Sequence, residues 1–269
     1  MTPPNSVQQE QFERDGFVVL RGFCTRAKAE SVRDTFMAEA KDGPVEGLSD
    51  APGALSADDP LAKYPRMMHP HRHPEKAVGR VALEFLLDPA LEPILHDLMG
   101  DEPIAAQTMF YFKPPGARGQ ALHQDNFYLR VKPGTCLAAW LALDVTDAEN
   151  GGMMVVPGSH RLEIACPEEA DPSTSFTKDY VAVPEGMEAV HITMQPGDVL
   201  FFNGSLIHGS TPNTSANRFR RSLIAHYIPA ACEEVGHWYR PLMRFDHDLV
   251  TKGFSDDGGP CGMTVAAPH

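Results

Sequence analysis

The second half of the chain breaks into short apolar runs, and that feature limits the fold more than any other. Ile104 to Lys113, Cys136 to Leu143, Met153 to Val156, Val190 to Met194, Val199 to Phe202 and Phe219 to Ile228 are rich in β-branched, aromatic and other apolar residues. Gly, Pro, Asn and Asp separate them. Runs this short, bounded by turn residues, read as strands of an antiparallel β-sandwich or barrel. Helical signals are gathered before them. Ser6 with Gln9 reads as a capping box opening a helix that stops at Gly16, and Phe17-Val18-Val19-Leu20 is a short buried strand. Ala29, Val32 and Phe36 recur at helical spacing across residues 26–41. Further helices are expected from Val78 to Leu87, and between Asp88 as N-cap, Pro89 in the first turn and Gly100 past the end.

Two segments fit no regular element. Asp42 to about His73 is rich in Gly, Pro, Asp and His, and Pro167 to Glu185 is polar and contains proline. Stretches of this kind are often functional. Both are expected to be mobile covers that select the substrate and order when it binds. With 269 residues, the chain can bury a sizeable core without a disulfide or metal staple. Its 36 acidic and 23 basic side chains give a formal charge of -13, which repels nucleic acid phosphate and anionic lipid. Neither nucleic acid nor membrane is therefore an expected partner. The five cysteines are scattered, with no C-x-x-C pair, and are expected as reduced thiols in a cytoplasmic protein. The N-terminus lacks the basic-then-apolar pattern of a signal peptide, and no apolar run approaches the roughly 18 residues of a membrane span.

Chemistry enters with His123-Gln124-Asp125. In an extended segment, period 2 turns His123 and Asp125 to one face. His208 follows a later strand, so the three can meet inside a barrel. Two histidines and one carboxylate make the facial triad of non-haem Fe(II) oxygenases, which leaves the opposite positions open. Alone, the H-x-D pattern also fits a turn aspartate beside a surface histidine. Arg220 and Ser222 share one strand face, with Arg221 and Leu223 on the other. An inward arginine needs an anion, and its planar fork matches a carboxylate, to which a serine hydroxyl adds a further bond. A small dicarboxylate co-substrate fits, one end on iron and the other on Arg220 and Ser222. A surface Arg-Arg pair is the alternative.

Several segments in order carry a family resemblance: Phe12-Glu13-Arg14-Asp15-Gly16-Phe17, Gln107-Thr108-Met109, Lys113-Pro114-Pro115 and His123-Gln124-Asp125. Ala139-Trp140, Asn150-Gly151-Gly152, Pro157-Gly158-Ser159-His160, His208-Gly209-Ser210 and Arg220-x-Ser222 continue it. The chain resembles the phytanoyl-CoA dioxygenase family of Fe(II)/2-oxoglutarate oxygenases. The resemblance implies a double-stranded β-helix (jelly roll, cupin-like), mainly β with flanking helices. One domain is expected, with a helical part at 1–102, a jelly-roll core at 103–230 and a tail at 231–269. It implies Fe(II), with 2-oxoglutarate and O2 as co-substrates. His123, Asp125 and His208 would bind the metal, and Arg220 the distal carboxylate of 2-oxoglutarate. Ser210, Trp140, Met109 and Gln107 would lie around that co-substrate, although Trp140 and Met109 also read as core. The segment between His208 and the arginine is about one residue longer than the family pattern, which leaves Arg218 and Arg221 as rival anchors.

Asn126 and Tyr128 follow the metal ligands and are candidates for the substrate pocket, as are His69, His71, His73 and Trp238. The three histidines read as a solvated or substrate-facing loop rather than a second metal site. His160 and His226 read as hydrogen-bonded structural histidines. The expected activity is hydroxylation of a small metabolite or natural-product intermediate, releasing succinate and CO2. Desaturation, cyclisation and halogenation are rival outcomes, the last opposed by Asp125. A non-catalytic jelly-roll binding protein is the rival from another class. The chain is expected as a monomer or small homo-oligomer.

Overall fold

The structure, a computed structural model, describes residues 4–50, 56, 58–255 and 261–262. Its main sheet runs in the order Phe17–Leu20, Val199–Asn203, Leu137–Ala142, Ser222–Pro229, Pro103–Tyr111, Leu242–Met243 and Leu249–Val250, with Met67–Met68 pairing onto Pro103–Tyr111. A smaller sheet orders Gln120–His123, His208–Ser210, Met153–Val155 and Val190–His191. Pairing within both sheets is antiparallel. The two stack as the expected jelly roll.

The main sheet is covered on both faces, so its strands read as continuous apolar runs rather than alternating ones. One face, with Phe110, Leu141, Phe201, Leu223 and Tyr227, packs against Ala29, Val32 and Phe36 of the helix Arg26–Glu39. Val78, Ala82 and Phe85 of the helix Ala77–Leu86 join the same cluster. The Phe36 and Phe110 rings stack at 3.9 Å. The other face, with Met109, Trp140, Phe202 and Ile224, meets Met153 and Val155 of the smaller sheet. Gln107, Met109 and Tyr111 lie directly opposite His226, Ile224 and Ser222 on the neighbouring strand. Alternation makes these rows the inner wall of the sandwich.

Four local expectations need correction. The first helix, Ser6–Asp15, is capped one residue earlier than read, by Asn5 with Gln8 completing the box. Asp88 does not start a helix: its carboxylate accepts the Ala90 N–H in a turn, and the helix begins at Leu91. The Asp42–His73 stretch is partly regular, with a helical turn Pro60–Lys63, the strand Met67–Met68 and a 3-10 turn Pro70–Arg72. The cysteines are not all reduced: Cys166 and Cys261 form a disulfide, while Cys24, Cys136 and Cys232 are free. Scattered spacing carries no information about which cysteines a fold brings together.

Candidate active site

The strand Gln120–His123 pairs with His208–Ser210 so that His123 and His208 are direct cross-strand partners. Their rings lie 4.3 Å apart. Asp125 is not on the strand, contrary to the period-2 expectation. It opens the short helix Asp125–Leu129, and the turn at Gln124 brings its carboxylate back over the two rings. Asp125 Oδ1 is 3.4 Å from His123 Nε2 and 3.5 Å from His208 Nε2. All three residues are buried, at 1–4% exposure. Their ligand atoms lie within 4.8 Å of one another.

The far side of each ring is anchored to a backbone carbonyl. His123 Nδ1 lies 2.8 Å from the Ala121 carbonyl and His208 Nδ1 lies 2.9 Å from the Leu206 carbonyl. A carbonyl only accepts, so each Nδ1 carries a proton, and Nε2 is the nitrogen left on the Asp125 side to meet a metal. Burial, and then the neighbouring His208, push the His123 pKa down. Burial opposes ionisation of Asp125, but His208 and His226 outweigh it and hold its carboxyl well below the usual carboxylate range. Two imidazoles and a carboxylate are a donor set that a divalent metal takes, the imidazoles binding in their neutral form.

Inward from this cluster stands a second charged group. Arg220 is 3% exposed, donating from Nε to the Gly151 carbonyl at 3.1 Å and from Nη1 to Ser222 Oγ at 3.1 Å. Its guanidinium sits 5.4 Å from the centre of the Trp140 ring. Arg221 is turned away and holds Asp144 with bonds of 2.7 and 2.8 Å, and Arg218 holds Asp147 and Glu149. Arg220 therefore turns inward with Ser222 as expected and Arg221 away, while Arg218, ahead of the strand Ser222–Pro229, is drawn out by its carboxylates. Lys113, not picked out among the site residues from sequence, joins Arg220. It is equally buried, at a left-handed φ of 36°, and its Nζ donates to Ser210 Oγ at 2.7 Å and to the Gly151 carbonyl at 3.0 Å. Gly151 has no room for a side chain: a Cβ would stand 2.7 Å from the Thr211 carbonyl and 2.8 Å from Lys113 Cε. Burial, and then Arg220, push the Lys113 pKa well down. Burial lowers that of Arg220 to about 10.

The gap lined by the triad, Met109, Trp140, Ser210 and Arg220 holds about 20 Å³. Through Tyr111 and Arg220 it adjoins a vestibule of about 750 Å³. Its walls come from both irregular segments, including Asp59, Tyr64 and Arg66 from one and Pro172, Phe176 and Lys178 from the other. Arg118 clasps the two, donating to Asp59 Oδ2 at 2.8 Å and to the Pro172 and Ser175 carbonyls at 3.0 and 3.1 Å.

The remaining candidates divide. Gln107 turns inward, but its amide faces His226 Nδ1 at 3.3 Å. Tyr128 packs its ring 6.3 Å from His123 and donates to Asp179 at 2.6 Å, tying the His–Asp–His cluster to the Pro167–Glu185 excursion. Asn126 closes the turn to Val131 and Gly134 with its side-chain amide. His69 and His71 are buried, contrary to a solvated loop, with His71 Nδ1 2.8 Å from Thr108 Oγ1. His73 faces Glu75 instead, and among the described residues the three do not form a metal cluster. Trp238 packs at a tilt against His237, and its carbonyl accepts a bond from Arg72. His226 is hydrogen-bonded as read, but to Asp125, at 2.9 Å.

A family profile described as Phytanoyl-CoA dioxygenase (PhyH) matches residues 12–222. The chain belongs to the phytanoyl-CoA dioxygenase family. Family members depend on Fe(II), 2-oxoglutarate and O2. Phytanoyl-CoA dioxygenase 1 of Oryza sativa subsp. japonica is 26% identical over 265 residues, covering 87% of this chain and 93% of the relative. The non-heme alpha ketoglutarate dependent carbocyclase SnoK from nogalamycin biosynthesis shares the fold at a TM-score of 0.66 and 18% identity, over 100% of this chain and 96% of its own. The epimerase SnoN in complex with Fe3+, alpha ketoglutarate and nogalamycin RO does so at 0.64 and 19%, over 92% and 93%.

Proposed function

We propose that this member of the family is a hydroxylase of a small metabolite or natural-product intermediate, using Fe(II), 2-oxoglutarate and O2. The observation that carries the reading is the buried triad, with both Nε2 atoms and Asp125 Oδ1 turned to one point. His123, Asp125 and His208 would hold ferrous iron, whose open positions take the co-substrate and O2. The loaded centre supplies the oxidising chemistry, splitting 2-oxoglutarate to succinate and CO2.

The other residues bind, orient and exclude. Arg220 and Ser222 would take the distal carboxylate of 2-oxoglutarate, and Lys113 places a second cation beside it. Trp140 would wall the co-substrate, while Lys113 holds the Ser210 hydroxyl. The gap is too small for 2-oxoglutarate as it stands, so side chains must give way, and Met109 is the most adaptable of them. The substrate would approach through the vestibule, whose mixture of Tyr64, Phe176 and paired charges suits a polar molecule with apolar parts. The two segments then select it, as their length and their polar, proline-containing composition lead one to expect.

The carbocyclase and the epimerase share this fold, so the fold by itself does not fix the outcome. No helix among the described residues is long and apolar enough to cross a membrane. The test is a screen for substrate-dependent succinate release under O2 across metabolite classes, with product masses recorded. Hydroxylation predicts products 16 mass units heavier, about the mass of one inserted oxygen atom. Loss of two hydrogens or an isomeric product would replace hydroxylation with desaturation or epimerisation, and no succinate from any class would remove the enzymatic reading.

A further inference from the structure

We propose, on the reading of His123, Asp125 and His208 as metal ligands, that His226 is a positioning residue. It holds one oxygen of Asp125 so that the carboxylate meets the metal through the other. His226 lies on the inner face of the Ser222–Pro229 strand and is 1% exposed. Its Nε2 is 2.9 Å from Asp125 Oδ2. On the neighbouring strand, Gln107 is its direct partner, with Nε2 3.3 Å from His226 Nδ1. An amide N–H donating to Nδ1 leaves the imidazole proton on Nε2, where it is donated to Oδ2. The other carboxylate oxygen, Oδ1, is the one that faces both metal-side nitrogens.

The consequence is a matter of counting positions. A carboxylate that binds through both oxygens takes two places on the metal, and through one oxygen only one. With two imidazoles already bound, a six-coordinate metal needs the single-oxygen mode to keep three places for a chelating keto acid and O2. Asp125 sits in the first turn of a five-residue helix. The restraint on Oδ2 comes from the facing main sheet, through Gln107 and His226. That linkage also joins the two sheets at the metal, so the spacing of the sandwich sets the pose of the ligand. His226 touches no reacting atom in this arrangement and acts through Asp125.

Co(II) is the probe, because the intensity of its visible bands reports coordination number and needs neither turnover nor a known substrate. Wild type, His226→Leu, His226→Gln and His226→Asn are titrated with Co(II) and then with 2-oxoglutarate, after urea unfolding has shown which variants fold. His226→Leu is expected to retain Co(II) but lose 2-oxoglutarate affinity by about tenfold or more, with an altered Co(II) spectrum. His226→Gln can still donate an N–H to Oδ2 and should recover most of the affinity. The shorter Asn should not, and this pair carries the test if the Leu variant does not fold. Unchanged 2-oxoglutarate affinity in His226→Leu, or an equal loss in the Gln and Asn variants, overturns the proposal. Failure of the wild type to bind Co(II) would instead remove the ligand reading beneath it.

Discussion

Among the described residues no carboxylate pairs with the buried Arg220, whereas Arg218 holds two and Arg221 one, so the three arginines should respond differently to removal. Losing a desolvated contact to a carboxylate costs about 2–5 kcal/mol. Arg220→Ala should therefore weaken 2-oxoglutarate binding well over tenfold in an anaerobic titration, with metal binding preserved. Arg221→Ala and Arg218→Ala break partly exposed pairs and should leave that affinity nearly unchanged. A large effect at either, with none at Arg220, would contradict the register. At this scale the sequence was informative where period 2 applied and uninformative elsewhere. Arg220 and Ser222 share a face as alternation requires. Lys113 enters the site because its backbone adopts a left-handed φ, and His226 because the carboxylate of Asp125, on the short helix after the facing strand, comes to meet it. Neither event leaves a mark on local pattern.

Among the elements, the long strands of the main sheet were legible because both faces are buried, so apolar residues run without interruption. The strands Gln120–His123 and His208–Ser210, which carry the histidines, were not. They have four and three residues and include Gln, His, Gly and Ser, the very residues the site needs. Function breaks the apolar pattern that would have revealed them.

The 67–73 stretch gives an element-scale prediction. Burial first, and then Arg72, lower the pKa of His69 to about 2 and of His71 to about 3, against 6.5 for the free side chain. Below pH 6.5 the unfolded chain therefore binds protons that the folded one does not, and stability falls as the medium is acidified toward pH 3. Each histidine adds roughly 1 kcal/mol per pH unit to the slope once the unfolded form is protonated. His71→Gln keeps an amide for Thr108 and should flatten the pH dependence of urea unfolding between about pH 6 and 4. The same slope in both proteins would show that His71 is not held neutral. Arg118 supplies a second prediction, since it joins both vestibule segments. Arg118→Ala should speed hydrogen exchange at 58–66 and 170–178 and raise the substrate KM, with iron affinity unaltered. Exchange unchanged in both segments would mean that Arg118 is not the clasp.

The molecule as a whole couples a rigid sandwich to a cover built from distant parts of the chain. The disulfide from Cys166 to Cys261 spans 95 residues and ties the C-terminal tail to the loop before the Pro167–Glu185 excursion. In denaturant without reductant, thiol titration should count the three free cysteines, and all five after reduction. Five without reductant would restore the reduced set that the spacing suggested. The central claim, that His123, Asp125 and His208 bind ferrous iron for use with 2-oxoglutarate, is tested most directly by anaerobic Fe(II) titration in the presence of 2-oxoglutarate. The visible charge-transfer band of the chelate is followed in wild type, Asp125→Ala and His208→Ala. The account predicts a band that saturates at one iron per chain in the wild type and is absent from both folded variants. A band of the same strength in all three, or none in the wild type, would contradict it.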